Sequence, residues 1–158
     1  MIIRFSALGD VILVRPIIQL FLKTYPDVRI WMVSNIKNKS IFDFDERLKF
    51  IGIDFNSKEK KIFQIAKKVK VVSGNINFNG IYDLHDVIRS KILCLMLSSK
   101  TDVTRVFEKQ RNLKNKIISK KITLQKLKTS SKRYLNCLKK DFEKLDFSNI
   151  SKSIKSSD

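Results

Sequence analysis

The first 34 residues, MIIRFSALGDVILVRPIIQLFLKTYPDVRIWMVS, constrain the fold more than any other stretch. Met1 to Phe5 is apolar except for Arg4 and runs into Gly9, which reads as a buried strand entering a tight turn. From Asp10 the apolar residues Val11, Leu13, Val14, Ile17, Ile18, Phe21 and Leu22 recur at three- and four-residue spacing, which predicts a helix to Tyr25 that stops at Pro26 and Asp27. Arg29 to Ser34 then reads as a second strand. Strand, helix and strand in so short a span are what a right-handed crossover between parallel neighbours looks like. Pro16 falls inside the predicted helix, where its ring removes the hydrogen bond to Ile12 and kinks the first turns.

The alternation continues more weakly along the chain. A short helix is predicted within residues 35–44, a third strand over 48–54, and a helix over 58–69 with Ile62, Ile65, Ala66 and Val69 on one face and lysines on the other. GIYDLH, residues 80–85, predicts a fourth strand; a helix with apolar Ile88, Ile92, Leu95 and Met96 follows over 87–97, and a fifth strand over 102–107. Repeated strand and helix elements imply an α/β fold: a Rossmann-like, open, mostly parallel sheet with helices on both faces. After Glu108 the apolar residues thin out to Ile117, Ile118, Ile122 and Leu124 among dense lysines. A last helix is predicted over 130–145, with Tyr134, Leu135, Leu138, Phe142 and Leu145 in one stripe and Ser130 or Ser131 as its cap. The polar, aperiodic tail over 146–158 is expected to be disordered, leaving 1–145 as the one domain that 158 residues allow.

Lys and Arg number 33 against 15 Asp and Glu, a net charge of +18 that favours anionic partners. Residues 105–155 hold 16 of those 33 basic groups against four acidic ones, for which a solvated surface is the default reading. Tyr134, Phe142 and Phe147 are spaced as helix core and not as a stacking platform, so nucleic acid is a disfavoured partner. Cys94 and Cys137 form neither a disulfide framework nor a CxxC zinc motif, which fits a reducing cytoplasm. The longest apolar stretch, 11–22, is too short to span a bilayer and contains Arg15, Pro16 and Gln19; no secretory signal precedes it. The expectation is a cytoplasmic protein, with peripheral contact at a membrane surface left open.

In such a sheet, ligands bind beyond the carboxyl ends of the strands, and the first strand–helix turn is the favoured place. The turn has neither G-x-G-x-x-G nor a P-loop, so no nucleotide cofactor is supported there. It offers Ser6, the backbone N–H groups around Leu8 and Gly9, and Asp10. On spacing alone Asp10 caps a helix, a role worth about 1 kcal/mol. His85, the one histidine, is either a neutral, hydrogen-bonded group at a strand end or a ligand contact. Arg89 in the first turn of a helix is unfavourable to the helix dipole, which points to an anion there, such as a sugar phosphate or carboxylate. Arg133 and Tyr134 read as solvated surface and helix packing. Nothing in the sequence gathers enough ligands for a metal.

FSALGDVI with a following proline resembles the opening of glycosyltransferase family 9, which includes the ADP-heptose:lipopolysaccharide heptosyltransferases. Arg4, Ser6, Ala7, Gly9, Asp10, Val11 and Pro16 fit its pattern R-x-S-[SA]-x-G-D-[VI] with a proline some six residues past the Asp. IYDLHDVIRSKIL, residues 81–93, is similar to the family's strand ending in Asp-Leu-His before a helix opening with Arg-Ser; LKTSSKRYLN, residues 127–136, is a weaker match to a Glu-Arg-Tyr helix start. The resemblance implies the N-terminal half of a GT-B enzyme, in which two Rossmann-like halves face each other, the first presenting the acceptor and the second binding the nucleotide-sugar. It also implies an inverting transfer without a metal, from a donor such as ADP-heptose to an acidic or phosphorylated, lipid-linked glycan. Asp10 would be the general base, with Ser6, Gly9, His85 and Arg89 about the acceptor. The sequence ends where the donor half is expected, so the expectation is a separately encoded partner half, a truncated product, or a binding module or relic without turnover. Arg15 stands where relatives carry a small or apolar residue, and it is expected either to salt-link outward or to meet an acidic acceptor.

Overall fold

The computed structural model describes residues 1–74, 76–109 and 129–145, with isolated positions at 115, 118 and 119. Its elements are β1 (Ile2–Ile3), α1 (Leu8–Ile12), α2 (Arg15–Thr24), β2 (Ile30–Asn35), a 3-10 helix (Ile36–Phe42), β3 (Leu48–Ile53), α3 (Ile62–Val72), β4 (Phe78–Asp83), α4 (Ile88–Leu97), β5 (Thr101–Val106) and α5 (Ser130–Lys139), with short 3-10 turns at Lys58–Lys60 and Ser98–Lys100. The strands form one all-parallel sheet in the order β3-β2-β1-β4-β5, so the chain winds outward from β1 to one edge, then returns and winds to the other. This is the α/β, Rossmann-like sheet expected from the sequence, and its order reverses between β1 and β4.

Each central strand is buried on both faces, so successive side chains feed two separate cores. Ile2, Met32 and Tyr82 point into one core, which α2 and α5 cover with Ile17, Ile18, Phe21, Tyr134, Leu135 and Leu138. Ile3, Val33 and Ile81 point into the other, beneath Ile65, Ala66 and Val69 of α3 and Leu93, Cys94 and Leu97 of α4. The α5 layer is also tied to the sheet by polar contacts. Asp141 accepts hydrogen bonds from Arg105 through Nε (3.1 Å) and a terminal nitrogen (2.8 Å), and from the Tyr82 hydroxyl (3.2 Å).

Several expected boundaries move. The helix predicted from Asp10 to Tyr25 is two helices, because Pro16 falls in the first turn of α2, where its missing N–H leaves no intrahelical bond unmade. Asp10 is therefore not a cap: Ala7 precedes α1 without any side-chain cap bond. Asn35 caps the 3-10 helix by accepting from the Lys37 N–H, and Thr129, not Ser130 or Ser131, caps α5 by accepting from the Lys132 N–H. The last helix stops at Lys139, short of the expected Leu145. The fourth strand ends at Asp83, so His85 lies beyond it. In α4, Ile88, Ile92 and Leu95 are exposed, and Ser90, Leu93, Cys94 and Leu97 form the buried face. The tail over 146–158 and positions Ile117, Ile122 and Leu124 lie outside the described residues.

Candidate functional site

The site begins with a charge inside an apolar strand. Arg4 continues β1, its N–H donating to the Val33 carbonyl and its own carbonyl accepting from the Ser34 hydroxyl at 2.6 Å. Asn38 reinforces this bracket by donating to Ser34 Oγ at 2.9 Å. With the backbone held on one side by β2, the Arg4 side chain must lie along the sheet's carboxyl edge. One guanidinium nitrogen donates to the Leu84 carbonyl at 2.6 Å, and the other meets the Asp10 carboxylate. The guanidinium also lies over the rings of Tyr134, at 5.6 Å, and Phe107, at 6.0 Å. A buried arginine needs such a set of acceptors and ring faces, since its charge would otherwise be taken from water without compensation. Its Nε nonetheless has no hydrogen-bond partner.

Asp10 is thus fixed from one side and open on the other. The Arg4 side chain is 6% exposed, whereas that of Asp10 is 37% exposed, so a ligand can reach the carboxylate but not its partner. Tyr134, on α5, places its ring against the Arg4 guanidinium; burial first, with help from the nearby Asp10 carboxylate, pushes its hydroxyl up to about 12, so it stays neutral. Gly9, beside Asp10, is exposed, and a Cβ built there would meet nothing within 4 Å. Open space therefore adjoins this turn. The Ser6–Ala7 peptide that leads into it is cis.

A cleft of about 230 Å³ opens beyond the carboxyl ends of β1 to β4, lined by Phe5, Ser6, Asn35, Phe55, His85, Val87 and Arg89. The far wall is set by Asp83. Its fully buried carboxylate closes the end of β4 by accepting from the N–H groups of His85 (2.8 Å) and Asp86 (3.0 Å) through one oxygen, and from the Ser90 hydroxyl (2.7 Å) through the other. Ser90 in turn accepts from the Val87 N–H, locking the first turn of α4 to the strand end. Asp86 takes a positive φ of 51° in this turn, a conformation that Asp tolerates better than most residues. Its carboxylate pairs with Lys91 at 2.8 Å.

His85 stands half-buried with its ring edge-on to Phe5, 5.6 Å between centroids, and its Nδ1 is buried without a hydrogen-bond partner. Among the described residues no group supplies the hydrogen bond to Nδ1 that the simpler sequence reading expects of a strand-end histidine. Burial, followed by the charges of Arg4 and Lys109, lowers its pKa to about 4, so the ring is neutral at physiological pH. Arg89 is exposed and lies over the Phe55 ring at 5.2 Å, which holds its guanidinium at the cleft's rim. Arg15 does not line the cleft and makes no ion pair among the described residues; it lies over the Phe44 ring at 4.9 Å.

The structure thus brings Ser6, His85 and Arg89 to one cleft and places Asp10 and Gly9 on the adjoining turn. Asp10 is near enough for its charge to raise the proton affinity of His85. Three contributors went unrecognised in the sequence: Arg4, Asp83 and Tyr134. Arg4 was signalled by a lone charge in an apolar strand, and Asp83 by a carboxylate at a strand end seven residues before a serine. Tyr134 carried only the weaker match to a Glu-Arg-Tyr helix start, since its spacing is that of helix core. Among the described residues no three His, Cys, Asp or Glu side chains gather to hold a metal, and no helix is long and apolar enough to cross a membrane.

No protein-family model matches the sequence, and no curated protein does. Among solved structures, the chain is similar to the crystal structure of the glycosyl transferase family 9 from Veillonella parvula DSM 2008, with a TM-score of 0.66 at 18% sequence identity. The match covers 88% of this chain and 40% of that one. This chain therefore has a fold found in a family 9 glycosyltransferase, and it spans well under half of that relative's length.

Proposed function

We propose that this chain is the acceptor-side half of an inverting glycosyltransferase of the heptosyltransferase type, with Asp10 as its general base. The observation that carries the reading is the Arg4–Asp10 pair: a carboxylate anchored by a buried guanidinium, open to ligand, at the carboxyl edge of a sheet whose fold a family 9 glycosyltransferase shares. In this reading the acceptor lies in the cleft between Phe55 and His85. Arg89 meets a phosphate or carboxylate on the acceptor, while Ser6 and the backbone at Gly9 contact its hydroxyls. Asp10 removes the proton of the attacking hydroxyl as its oxygen bonds to the anomeric carbon and the bond to the donor's diphosphate breaks. A nucleotide-sugar such as ADP-heptose is the donor, and the groups that hold it belong to a second half not found among these residues.

Neutral His85 suits this task because it can hydrogen-bond an acceptor hydroxyl without adding another positive charge beside the base. Arg4 acts through Asp10, setting its orientation, and the Tyr134 ring backs the Arg4 guanidinium from α5. No metal enters the reading.

The test is transfer from a nucleotide-sugar to a phosphorylated glycolipid acceptor by this chain together with the polypeptide encoded next to it. Asp10→Asn is expected to lower kcat by about a hundredfold or more, the usual scale for losing a general base, with acceptor binding retained. Turnover unaffected by that change removes Asp10 from the mechanism. Saturable glycolipid binding without turnover in any mixture favours a binding module.

A further inference from the structure

A cavity of about 430 Å³ opens at the amino ends of β1, β2 and β4, the edge of the sheet opposite the Asp10 turn. Its rings come from both cores: Phe21, Tyr82 and Phe142 from one, Trp31 and Phe78 from the other. Tyr82 and Phe142 stand 6.0 Å apart between centroids, and Trp31 and Phe78 stand 6.4 Å apart. Gly80 makes this wall possible, since a Cβ there would come within 2.8 Å of the Tyr82 ring. The rim is polar, with Asp27, Asn77 and Asn79 all exposed around it. Arg29, also exposed, lines this cavity and a second one of about 330 Å³ that it shares with Glu46, Arg47 and Lys49. Arg47 is already engaged: it holds Asp45 through two nitrogens, at 2.7 and 3.0 Å, and donates to the Leu22 and Pro26 carbonyls. Arg29 and Lys49 make no ion pair among the described residues, and Glu46 is the one acid in the lining of the second cavity.

We infer that the two joined cavities bind a nucleoside monophosphate, with its base among the rings, its ribose at Asp27 and its phosphate on Arg29 and Lys49. Each part of the lining selects one part of that ligand. Walls of aromatic side chains favour a flat aromatic system, which gains from stacked and edge-on ring contacts beyond simple burial. The amides of Asn77 and Asn79 each offer two donors and an acceptor, which the edge of a heterocycle can use and a hydrocarbon ring cannot. A carboxylate such as Asp27 accepts from ribose hydroxyls. A guanidinium without an acid partner suits a phosphate, whose oxygens match its fork, and the net charge of +18 draws an anion toward the site. The space is of the size that small-molecule sites usually have, about 300 to 1,000 Å³. Because the site lies across the sheet from Asp10, a nucleotide held there is not the donor of the transfer, and the inference does not depend on that reaction.

The test uses Trp31, the one tryptophan of the chain, whose fluorescence reports this cavity alone. Titration of the full chain with adenosine monophosphate is expected to change the Trp31 emission saturably, and adenosine is expected to bind at least about tenfold more weakly. Arg29→Gln with Lys49→Gln, both at exposed positions, is expected to bring the monophosphate down to the affinity of adenosine and to leave adenosine unchanged. Ile76→Glu, at a 48% exposed position in the lining, is expected to weaken both ligands, with circular dichroism confirming that each variant is folded. Arg89→Gln, in the cleft at the other edge, is expected to leave the titration as it is. A Trp31 emission that does not respond to the monophosphate overturns the proposal, as does undiminished binding by the Arg29 and Lys49 variant. Loss of the response in Arg89→Gln also overturns it, by assigning the phosphate to the cleft.

Discussion

At the scale of single residues the site is governed by which charges are held and which are reachable. Arg4 is enclosed by a carbonyl, a carboxylate and two rings, and it passes that constraint to Asp10, whose outer side stays wet. His85 is the residue whose state pH reports most directly. The unfolded chain takes up its proton near 6.5 and the folded chain only near 4, so below about pH 6.5 the unfolded state binds more protons. The associated stability is present above that window and is lost as pH falls through it. The thermal midpoint is therefore expected to decline from about pH 7 to pH 5 in the native protein and to decline less in His85→Gln, measured by calorimetry in matched buffers. Equal declines in the two proteins would show that His85 keeps its ordinary proton affinity in the fold.

At the scale of elements, most of the chain's alternation was legible because the strands and helices carry their own periodicities. What the periodicities could not show is which apolar stripe of a helix faces inward. The α4 sequence IRSKILCLML offers two such stripes, and the one chosen contains Ser90, because Ser90 is needed by Asp83. A side chain that reads as polar thus takes a core position, and Ile88, Ile92 and Leu95 turn outward. The same polar lock explains why β4 ends two residues before His85: the Leu84 N–H still donates to the Ile3 carbonyl, but Asp83 draws the N–H groups of His85 and Asp86 to itself and takes them away from any strand pairing. Asp83→Ala removes all three of these bonds at a fully buried position and is expected to lower the unfolding free energy by about 3 kcal/mol in urea titration. On the proposed reading it also loosens the cleft wall that His85 and Val87 form, so affinity for a glycan acceptor falls. The break between α1 and α2 was signalled by Pro16, but its result was not: α1 became a separate turn that carries Asp10 next to Arg4 and not at a cap.

At the scale of the molecule, the fold is two cores divided by one sheet. The sheet and its parallel sense could be inferred from the first 34 residues and the strands after them. The contribution of α5 was less legible, since sequence reading found the stripe but not its destination. The stripe closes the first core and delivers Tyr134 to Asp10 across 124 residues of sequence. Leu138, fully buried in that layer, is a measure of how strongly α5 is held. Leu138→Ala is expected to lower stability by about 2 to 5 kcal/mol in chemical denaturation, the range for emptying a packed leucine site. A change well under 1 kcal/mol would mean that α5 is docked only through Asp141 and its partners, Arg105 and Tyr82.

The order of the strands also sets a timetable. β1 is the centre of the sheet, and its Ile2 is registered on one side with Met32 and on the other with Tyr82, 80 residues further along the chain. A ribosome adding roughly 5 to 20 residues per second needs about 4 to 16 seconds between making Ile2 and making Tyr82. Throughout that interval the middle strand has at most one neighbour. A nascent chain of this fold therefore carries its most central strand half-paired through much of synthesis, which is when a chaperone would have most to shield.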